Sequence, residues 1–277
     1  MNTEQPSLLP KSYRDISATY TPATKKETQG VSVIIPFRGA ERLDNLRMCL
    51  AFMNNQSAMP LEVIVVEESP APILSERTLV NRNIRLVKVL GGDKFNKSVA
   101  VNTGVLMASY NAISIHDVDL ILPSTYMEEV ANSLYGEYEA CFFLKEIFYL
   151  WHRPTLGKII INPNHKRADY FNGGSVNVRK DTFMSIGGMN EKFSGYGHED
   201  CEFWTRVKSL TKLLEDRRLT SLHMNHKRPF SLSQNTALYE SIVNMSMQDR
   251  LDQLRIDLAA RGKRINNEET VNTNLHS

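Results

Sequence analysis

The first half of the chain alternates short apolar runs with amphipathic stretches. The apolar runs are rich in β-branched residues and too short for core helices, so they predict strands. These predicted strands cover residues 31–37, 61–68, 84–90 and 112–122. Apolar residues at helical spacing predict a helix ending near 54–55 and another over 96–110. This alternation is typical of an α/β fold with a mostly parallel sheet covered by helices on both faces.

The second half is less regular. A proline at its start favours a helix over 123–136, and an apolar run predicts a strand or strand pair over 140–151. Between 169 and 210 the pattern predicts a strand, a helix, a glycine-rich loop and a second helix. A strand over 218–226 and one long helix over 237–262 complete the predicted elements.

Composition narrows the class of protein. The chain has 277 residues, 42% of them hydrophobic, which suits one large domain or one domain with a small appendage. A net charge of +2 gives no bulk argument for nucleic-acid binding. The three cysteines, Cys49, Cys141 and Cys201, are widely spaced and odd in number, which favours reduced thiols in a cytosolic protein. The first thirty residues contain no apolar core of signal-peptide length, and no run approaches the roughly 18–20 apolar residues of a membrane span.

Polar residues follow the predicted strands where each strand ends. Ligands of open α/β sheets bind at the carboxyl ends of the strands. Asp117 and Asp119 lie at such an end, and a carboxylate there must be paired or must bind a metal ion. Alternation along a strand would let one aspartate reach a hard cation such as Mg²⁺ or Mn²⁺ while the other points to a ribose hydroxyl. An ion pair with Arg38 or with a lysine stays open as the alternative.

A second candidate site is the segment 193–207. Gly195 and Gly197 flank Tyr196, which lets backbone pass close to a ligand. Glu199 and Asp200 open the following helix, where the helix dipole favours ionised carboxylates, so one of them suits a general base. Simple capping of the helix by acids stays open as the alternative.

The rest of that helix predicts a buried stripe and an exposed pair. Phe203 and Val207 are spaced to form a core stripe, while Glu202 and Arg206 are spaced to pair on the solvent face.

Histidines offer candidate metal ligands near the predicted strand 218–226. His223 and His226 are three residues apart, which makes ligation and a structural role equally weighted alternatives. The other histidines are interpreted as structural, with His198 the one closest to the candidate base.

Five segments in fixed order carry a family resemblance: VSVIIPFRGAERLDNL, GGDKFNKSVAVNTG, IHDVDLILP, the stretch 170–207, and HMNH. Together they resemble the GT-A glycosyltransferases, in particular β-1,4-galactosyltransferases and the galactosaminyl-transferring domains of bacterial chondroitin polymerases. The resemblance covers residues 31 to 230.

The resemblance implies a role for each matched residue. The residues that would bind the uridine diphosphate are Pro36, Phe37, Arg38, Glu67, Phe95, Asn96 and Lys97. Asp117 would contact the nucleotide sugar. Asp119 and His226 would bind Mn²⁺ or Mg²⁺, and His223 falls where the galactosyltransferases have a methionine ligand.

The acceptor side follows from the same resemblance. Gly173 and Gly174 match a glycine pair near the sugars, and Tyr196 matches the aromatic residue of a Gly-aromatic-Gly loop. Asp200 matches the catalytic base, and Glu199 is grouped with it as catalytic. The galactosyltransferases carry tryptophan and Gly-Gly in this loop, whereas this chain has Tyr196 and Gly-His, so donor sugar and acceptor stay open.

These roles divide the chain into four predicted parts. They are a polar lead-in over 1–30, a nucleotide-sugar-binding half over 31–122, a metal, acceptor and base half over 123–235, and a C-terminal helix and tail over 236–277.

The resemblance implies an inverting, metal-dependent transfer of galactose or N-acetylgalactosamine from a UDP-sugar to a saccharide acceptor, free or lipid-linked. A bacterial enzyme of O-antigen or capsule synthesis, cytoplasmic or at the inner face of the membrane, is the expected setting. A nucleotidyltransferase acting on sugar phosphates and a non-catalytic subunit of a polysaccharide synthase are the alternatives.

Three further expectations concern partners. We expect no nucleic acid and at most peripheral membrane association, and a homo-oligomer is left open. The basic end of the C-terminal helix either docks on a partner or an anionic membrane, or belongs to a helix that packs on the core.

Overall fold

A computed structural model describes residues 14–15, 19, 24–75, 79, 84–150, 160–161, 167–168, 174–226 and 233–272. Gly173 and most of the predicted lead-in lie outside this part of the chain.

The described strands include one at each predicted position and three two-residue strands, at 14–15, 160–161 and 167–168, that were not predicted. They are β1 (Arg14–Asp15), β2 (Lys26–Phe37), β3 (Ala58–Ser69), β4 (Ile84–Leu90), β5 (Ala112–His116), β6 (Leu120–Ile121), β7 (Ala140–Leu150), β8 (Ile160–Ile161), β9 (Arg167–Ala168), β10 (Ser175–Arg179) and β11 (Leu213–Met224).

The described helices are α1 (Leu43–Met53), α2 (Lys97–Met107), α3 (Tyr126–Leu134), α4 (Lys180–Ser185), α5 (Glu199–Leu210), α6 (Ser233–Val243) and α7 (Met247–Asn272). A short 3₁₀ turn, Ala40–Arg42, joins β2 to α1.

The main sheet has the strand order β4–β3–β2–β5–β10–β7–β11–β6, with β9 beside β7. Strands β4, β3, β2 and β5 are parallel neighbours, which confirms the parallel prediction for the first half. Strand β10 then runs antiparallel between β5 and β7, so the second half of the sheet is mixed. The parallel strands end at one edge, and that edge carries the polar residues singled out from the sequence.

Helix α2 packs directly on β2 and β3. Its Gly104 makes the close approach feasible, because a Cβ there would lie 2.4 Å from the Ile34 side chain. Ile34 and Val66 are fully buried, and burying such side chains contributes roughly 1.5–3 kcal/mol each. The helix that begins at the candidate nucleotide segment is therefore fixed to the centre of the sheet.

Two predicted elements are divided in the structure. The predicted strand 112–122 is interrupted by a turn at 117–119, where Leu120 donates its N–H to the Asp117 carbonyl. The predicted helix 237–262 is interrupted at 244–246, because Ser246 accepts the Asp249 N–H and caps α7.

The prediction of an exposed Glu202–Arg206 pair was wrong. Both side chains are fully buried and are joined by two hydrogen bonds. Arg250 of α7 adds a third contact, 2.7 Å from Glu202. Helix α7 packs over this face of α5 and buries it. The i, i+4 spacing in the sequence gives no indication that another helix packs there.

Helix α7 packs on the body of the protein through Leu251, Leu254 and Leu258, which are buried. Its Arg261 pairs with Glu191. These contacts bear out the core-packing alternative for this helix. Among the described helices, none combines the length and apolar composition needed to cross a bilayer.

Candidate active site

The turn 117–119 is fixed between two strands. Asp117 donates its N–H to the Gly174 carbonyl at 2.8 Å, and the backbone carbonyl of Asp119 accepts the Met224 N–H at 2.8 Å. Gly174 has φ +86°, and a Cβ there would lie 2.3 Å from the Leu120 side chain. Glycine is therefore required at this position, and the two aspartates are held with little freedom.

Asp119, His223 and His226 form a group, which we call the metal group. Their ligand atoms lie within 4.8 Å of one another. His226 Nε2 is 3.0 Å from Asp119 Oδ2, and His223 Nε2 is 3.4 Å from Oδ1. Strand pairing places them, because His223 lies opposite Leu120 in the β6–β11 register. This confirms that the fold brings the three predicted ligands together.

The charge on Asp119 is strongly favoured. Burial alone would raise the pKa of this carboxyl, but the His226 hydrogen bond and the nearby charges of His223 and Arg42 hold it well below its ordinary value. A permanently ionised oxygen and two imidazole nitrogens suit a divalent transition metal ion. The group therefore fits a resident cation.

Asp117, Lys97, Glu199 and Asp200 form a second group, which we call the base group. Lys97 lies with its Nζ 2.7 Å from Asp117 Oδ1 and 2.9 Å from both Asp200 oxygens. Its side chain is only 9% exposed. The predicted nucleotide residue Lys97 thus connects the first aspartate of the turn to the predicted base.

Two carboxyls of the base group, Asp200 and Glu199, have raised pKa values. Burial, reinforced by Asp117, raises the pKa of Asp200, while Lys97 opposes the rise. Burial and the neighbouring Asp200 raise the pKa of Glu199 to about 7. The expectation that both acids stay ionised is wrong for Glu199, because desolvation outweighs the helix dipole. Its buried Oε2 has no hydrogen-bond partner among the described residues.

The nucleotide-side residues surround the end of β3. Arg38 lies 3.4 Å from Glu68 and donates to the Asp93 carbonyl. Asn96 donates its N–H to Glu68 and caps α2 by accepting the Val99 N–H. A cavity of about 510 Å³ opens here, lined by Glu68 and Asn96 and by Arg261 and Arg264 of α7.

Four other predicted nucleotide residues are buried or packed against the core. Pro36 and Phe37 are buried at the end of β2, and Phe95 packs against the core. Glu67 accepts the backbone N–H groups of Ile73 and Leu74 with its two carboxylate oxygens. Its place beside a nucleotide stays a prediction, since Glu68 is the glutamate that lines the cavity.

The glycine loop at 194–198 is held by hydrogen bonds to two other segments of the protein. Gly195 donates its N–H to the Phe95 carbonyl, and Asn235 of α6 donates to the carbonyls of Ser194 and Gly197. Tyr196 stays 37% exposed between these anchors. The predicted aromatic residue is thus exposed to solvent on the loop that precedes the base residues Glu199 and Asp200.

His198 has a structural role at the end of this loop. It is the described non-glycine residue with positive φ, at 69°. Its ring lies 3.0 Å from Thr236 Oγ1 and stacks on Tyr239 at 5.0 Å. These contacts with α6 offset the cost of the left-handed backbone.

His116 stands apart from the metal group. It is fully buried, and its Nε2 faces the Leu120 carbonyl at 3.2 Å. Burial lowers its pKa to about 4. The structural interpretation of His116 is confirmed.

Sequence reasoning missed Arg42. This residue ends the 3₁₀ turn after β2, and its guanidinium contacts both Asp119 and His226. Its position four residues after Arg38, in the same segment beyond a strand end, was the available hint.

Two family models match the chain. The model described as glycosyl transferase family 2 matches residues 32–190. The model described as the N-terminal domain of galactosyltransferase matches residues 161–227. The second range contains Gly174, Asp200 and both histidines of the metal group.

Known relatives are galactosyltransferases from animals. Drosophila melanogaster β-1,4-galactosyltransferase 7 is 31% identical over 121 residues, 42% of this chain and 31% of the relative. Human β-1,4-galactosyltransferase 2 is 28% identical over 199 residues, 69% of this chain and 43% of the relative. This chain therefore spans less than half the length of either relative.

A solved structure supports the fold independently. Staphylococcus aureus TarS matches with a TM-score of 0.55 at 13% identity, covering 84% of this chain and 43% of that chain. At this identity the likeness concerns the fold alone. Because the first family model covers more than half of the chain, and the fold agrees with it, this chain belongs to glycosyl transferase family 2 and has the GT-A fold.

Proposed function

We propose that this chain transfers galactose, or N-acetylgalactosamine, from a UDP-sugar to a hydroxyl of a saccharide acceptor with inversion at the anomeric carbon. One observation carries the proposal. The turn 117–119 places Asp119 in the metal group and, through Lys97, joins Asp117 to the base group. A cation site and a basic carboxylate thus meet at one sheet edge.

The metal group would hold Mn²⁺, since two imidazole ligands suit Mn²⁺ better than Mg²⁺, which prefers oxygen. A cation bound by Asp119, His223 and His226 would supply a Lewis acid for the charge of the departing diphosphate. Arg38 and the cavity beside Glu68 would hold the uridine part of the donor.

The base group would act on the acceptor. Asp200, with its raised pKa, would take the proton from the attacking hydroxyl. Glu199 would accept a hydrogen bond from a substrate hydroxyl with its buried Oε2. A base on the acceptor side gives single displacement, so an α-linked donor would yield a β-linked product.

Tyr196 and Gly174 would border the sugars, as the exposed ring at the loop suggests. The names of the relatives favour galactose as the donor sugar. We place the reaction in bacterial surface polysaccharide assembly. The three free thiols support a reducing compartment.

Product analysis tests this function directly. The chain is incubated with Mn²⁺ and, in turn, UDP-galactose, UDP-N-acetylgalactosamine, UDP-glucose and UDP-N-acetylglucosamine, with free and lipid-linked saccharides. We expect UDP release that depends on the acceptor and stops in EDTA, with a β-linkage visible by NMR. A parallel assay with UTP and sugar 1-phosphates tests the nucleotidyltransferase alternative, which would release pyrophosphate. Absence of turnover in both assays would support a binding subunit.

A further inference from the structure

Arg42 occupies the interior of the metal group. Its NH1 donates to Asp119 Oδ2 at 2.5 Å, and its NH2 lies 3.1 Å from His226 Nδ1. The side chain is 25% exposed, so it is not sealed from solvent. The 3₁₀ turn Ala40–Arg42 places it there, directly after the end of β2.

The hydrogen bonds fix which nitrogen of His226 carries the proton. A guanidinium has only donors, so His226 Nδ1 must accept from Arg42 with its lone pair. The proton of a neutral imidazole is then on Nε2, which donates to Asp119 Oδ2 at 3.0 Å. Both ring nitrogens of His226 are therefore engaged by protein partners.

This arrangement is incompatible with cation binding at His226. A metal ion needs the lone pair of Nε2, which would move the ring proton to Nδ1 and set it against the N–H of Arg42. Asp119 Oδ2 would also have to exchange its guanidinium partner for the ion. Arg42 and a divalent cation cannot use these atoms together.

We propose that Arg42 is a built-in competitor of the divalent cation, and that the diphosphate of the donor draws it away from Asp119 and His226. This inference rests on the proposed function, which brings a diphosphate to the metal group. A guanidinium binds phosphate oxygens as readily as it binds a carboxylate. The long, flexible side chain of arginine would let the guanidinium turn from Asp119 to the diphosphate.

The arrangement also explains how Asp119 is tolerated while buried. A buried carboxylate without a counterion is costly, and Arg42 compensates its charge. Release of Arg42 to a diphosphate would leave that compensation to the cation. Donor and cation therefore favour each other's binding, in a reciprocal way.

Two ligands measured separately test the inference. We compare Arg42→Met with wild type for Mn²⁺ affinity without nucleotide, by calorimetry or Mn²⁺ EPR, and for UDP affinity in EDTA. Mn²⁺ should bind roughly tenfold or more tightly to the variant, the effect of removing one charge-assisted hydrogen bond from the competing partner. UDP should bind roughly tenfold more weakly, because the arginine fork is lost.

The control variants distinguish the specific effect of Arg42 from a general loss of positive charge and from loss of folding. Arg47→Met removes the same charge from an exposed site on α1 and should leave both affinities unchanged. Arg42→Gln should repeat the Arg42→Met result, and thermal denaturation checks that each variant is folded.

Opposite shifts for the two ligands support the inference. Weaker binding of both ligands would mean that Arg42 only supports the structure, and unchanged Mn²⁺ affinity would mean that it does not compete; either result overturns the inference. Asp119→Asn tests the metal assignment itself. If Mn²⁺ binding is indifferent to that change, the proposed metal site is wrong whatever Arg42 does.

Discussion

The metal group and the base group meet at the turn 117–119, but they differ in their balance of charge. Asp119 has two histidines and an arginine around it, whereas Asp117, Glu199 and Asp200 share the single cation of Lys97. Accordingly the pKa of Asp119 is lowered and those of Glu199 and Asp200 are raised. Burial thus gives a permanent anion on one side and proton acceptors on the other. The difference is set by the hydrogen bond from His226 and the charges around Asp119, against the single lysine that the base group shares.

The largest expected effect separates the two groups. Asp200→Asn should lower the transfer rate by roughly 10²–10⁴-fold, because a general base contributes that much, while Mn²⁺ binding stays unchanged. Asp119→Asn should abolish Mn²⁺ binding. Rates come from coupled UDP detection and metal binding from calorimetry.

Asp216→Asn, at an exposed residue paired with Arg218, is the matched control and should behave as wild type. If Asp200→Asn turned over at the wild-type rate, Asp200 would not be the general base, and the assignment of separate roles to the two groups would be wrong.

The second prediction concerns the single cation of the base group. Lys97→Met removes the charge that lowers the pKa of Asp200, so that pKa should rise further. Because the ionised carboxylate is the active form, the acidic limb of the pH–rate profile should move up by roughly 1–3 pH units.

Lys208→Met on the same helix as Asp200 provides the control, since Lys208 is 38% exposed and lies 3.9 Å from Glu215, which is outside the base group. An unmoved limb would show that Lys97 does not set the basicity of Asp200.

Some of the contacts behind these two predictions could be predicted from the sequence, and others could not. The strand ends carrying Arg38, Glu68 and Asp117 were predictable, because apolar runs end visibly at polar residues. The meeting of Asp119 with His226 was predictable only by resemblance, since nothing local shows that a two-residue strand pairs with β11.

Burial of helix faces was the weakest part of the prediction. Glu202 and Arg206 have the spacing of a surface pair, and only the later helix α7, with Arg250, turns that surface into interior. The capping residue Ser246 was visible in the sequence, but the apolar periodicity on both sides of it favoured one continuous helix.

The third prediction uses stability. The pKa of Glu199 is raised from 4.5 to about 7, so the folded state holds this proton more tightly than the unfolded chain. The resulting stabilisation is complete below about pH 4.5 and is lost as the pH rises through about 7. Glu199→Gln should remove this dependence and stabilise the protein above pH 7 by about 1–3 kcal/mol.

Urea denaturation between pH 5 and pH 8 measures the effect. Glu240→Gln, at an exposed position on α6, should keep the wild-type pH dependence. A wild-type slope in Glu199→Gln would show that another group is responsible.

The smallest expected effect is a loss of stability confined to the glycine loop at 194–198. Thr236→Val removes the contact with His198 and should cost about 1 kcal/mol of stability, the usual value of one hydrogen bond. Hydrogen exchange should accelerate at 194–198 and stay unchanged at 117–119.

Ser241→Ala on the same helix removes a local contact with Leu238 and serves as the control. Equal acceleration in the two segments would mean that α6 stabilises the whole site rather than the loop.

The pairing of β6 with β11 has a consequence for how the protein folds. Asp119 and His223 are about a hundred residues apart in the chain. They are brought together by two paired positions of β6 and β11 and by the hydrogen bond from the Met224 N–H to the Asp119 carbonyl. Contacts of such long sequence separation form late, because the loop entropy must be overcome first. During refolding, binding of Mn²⁺ would therefore mark a late step of sheet assembly. The time course of Mn²⁺ binding would report when β6 pairs with β11.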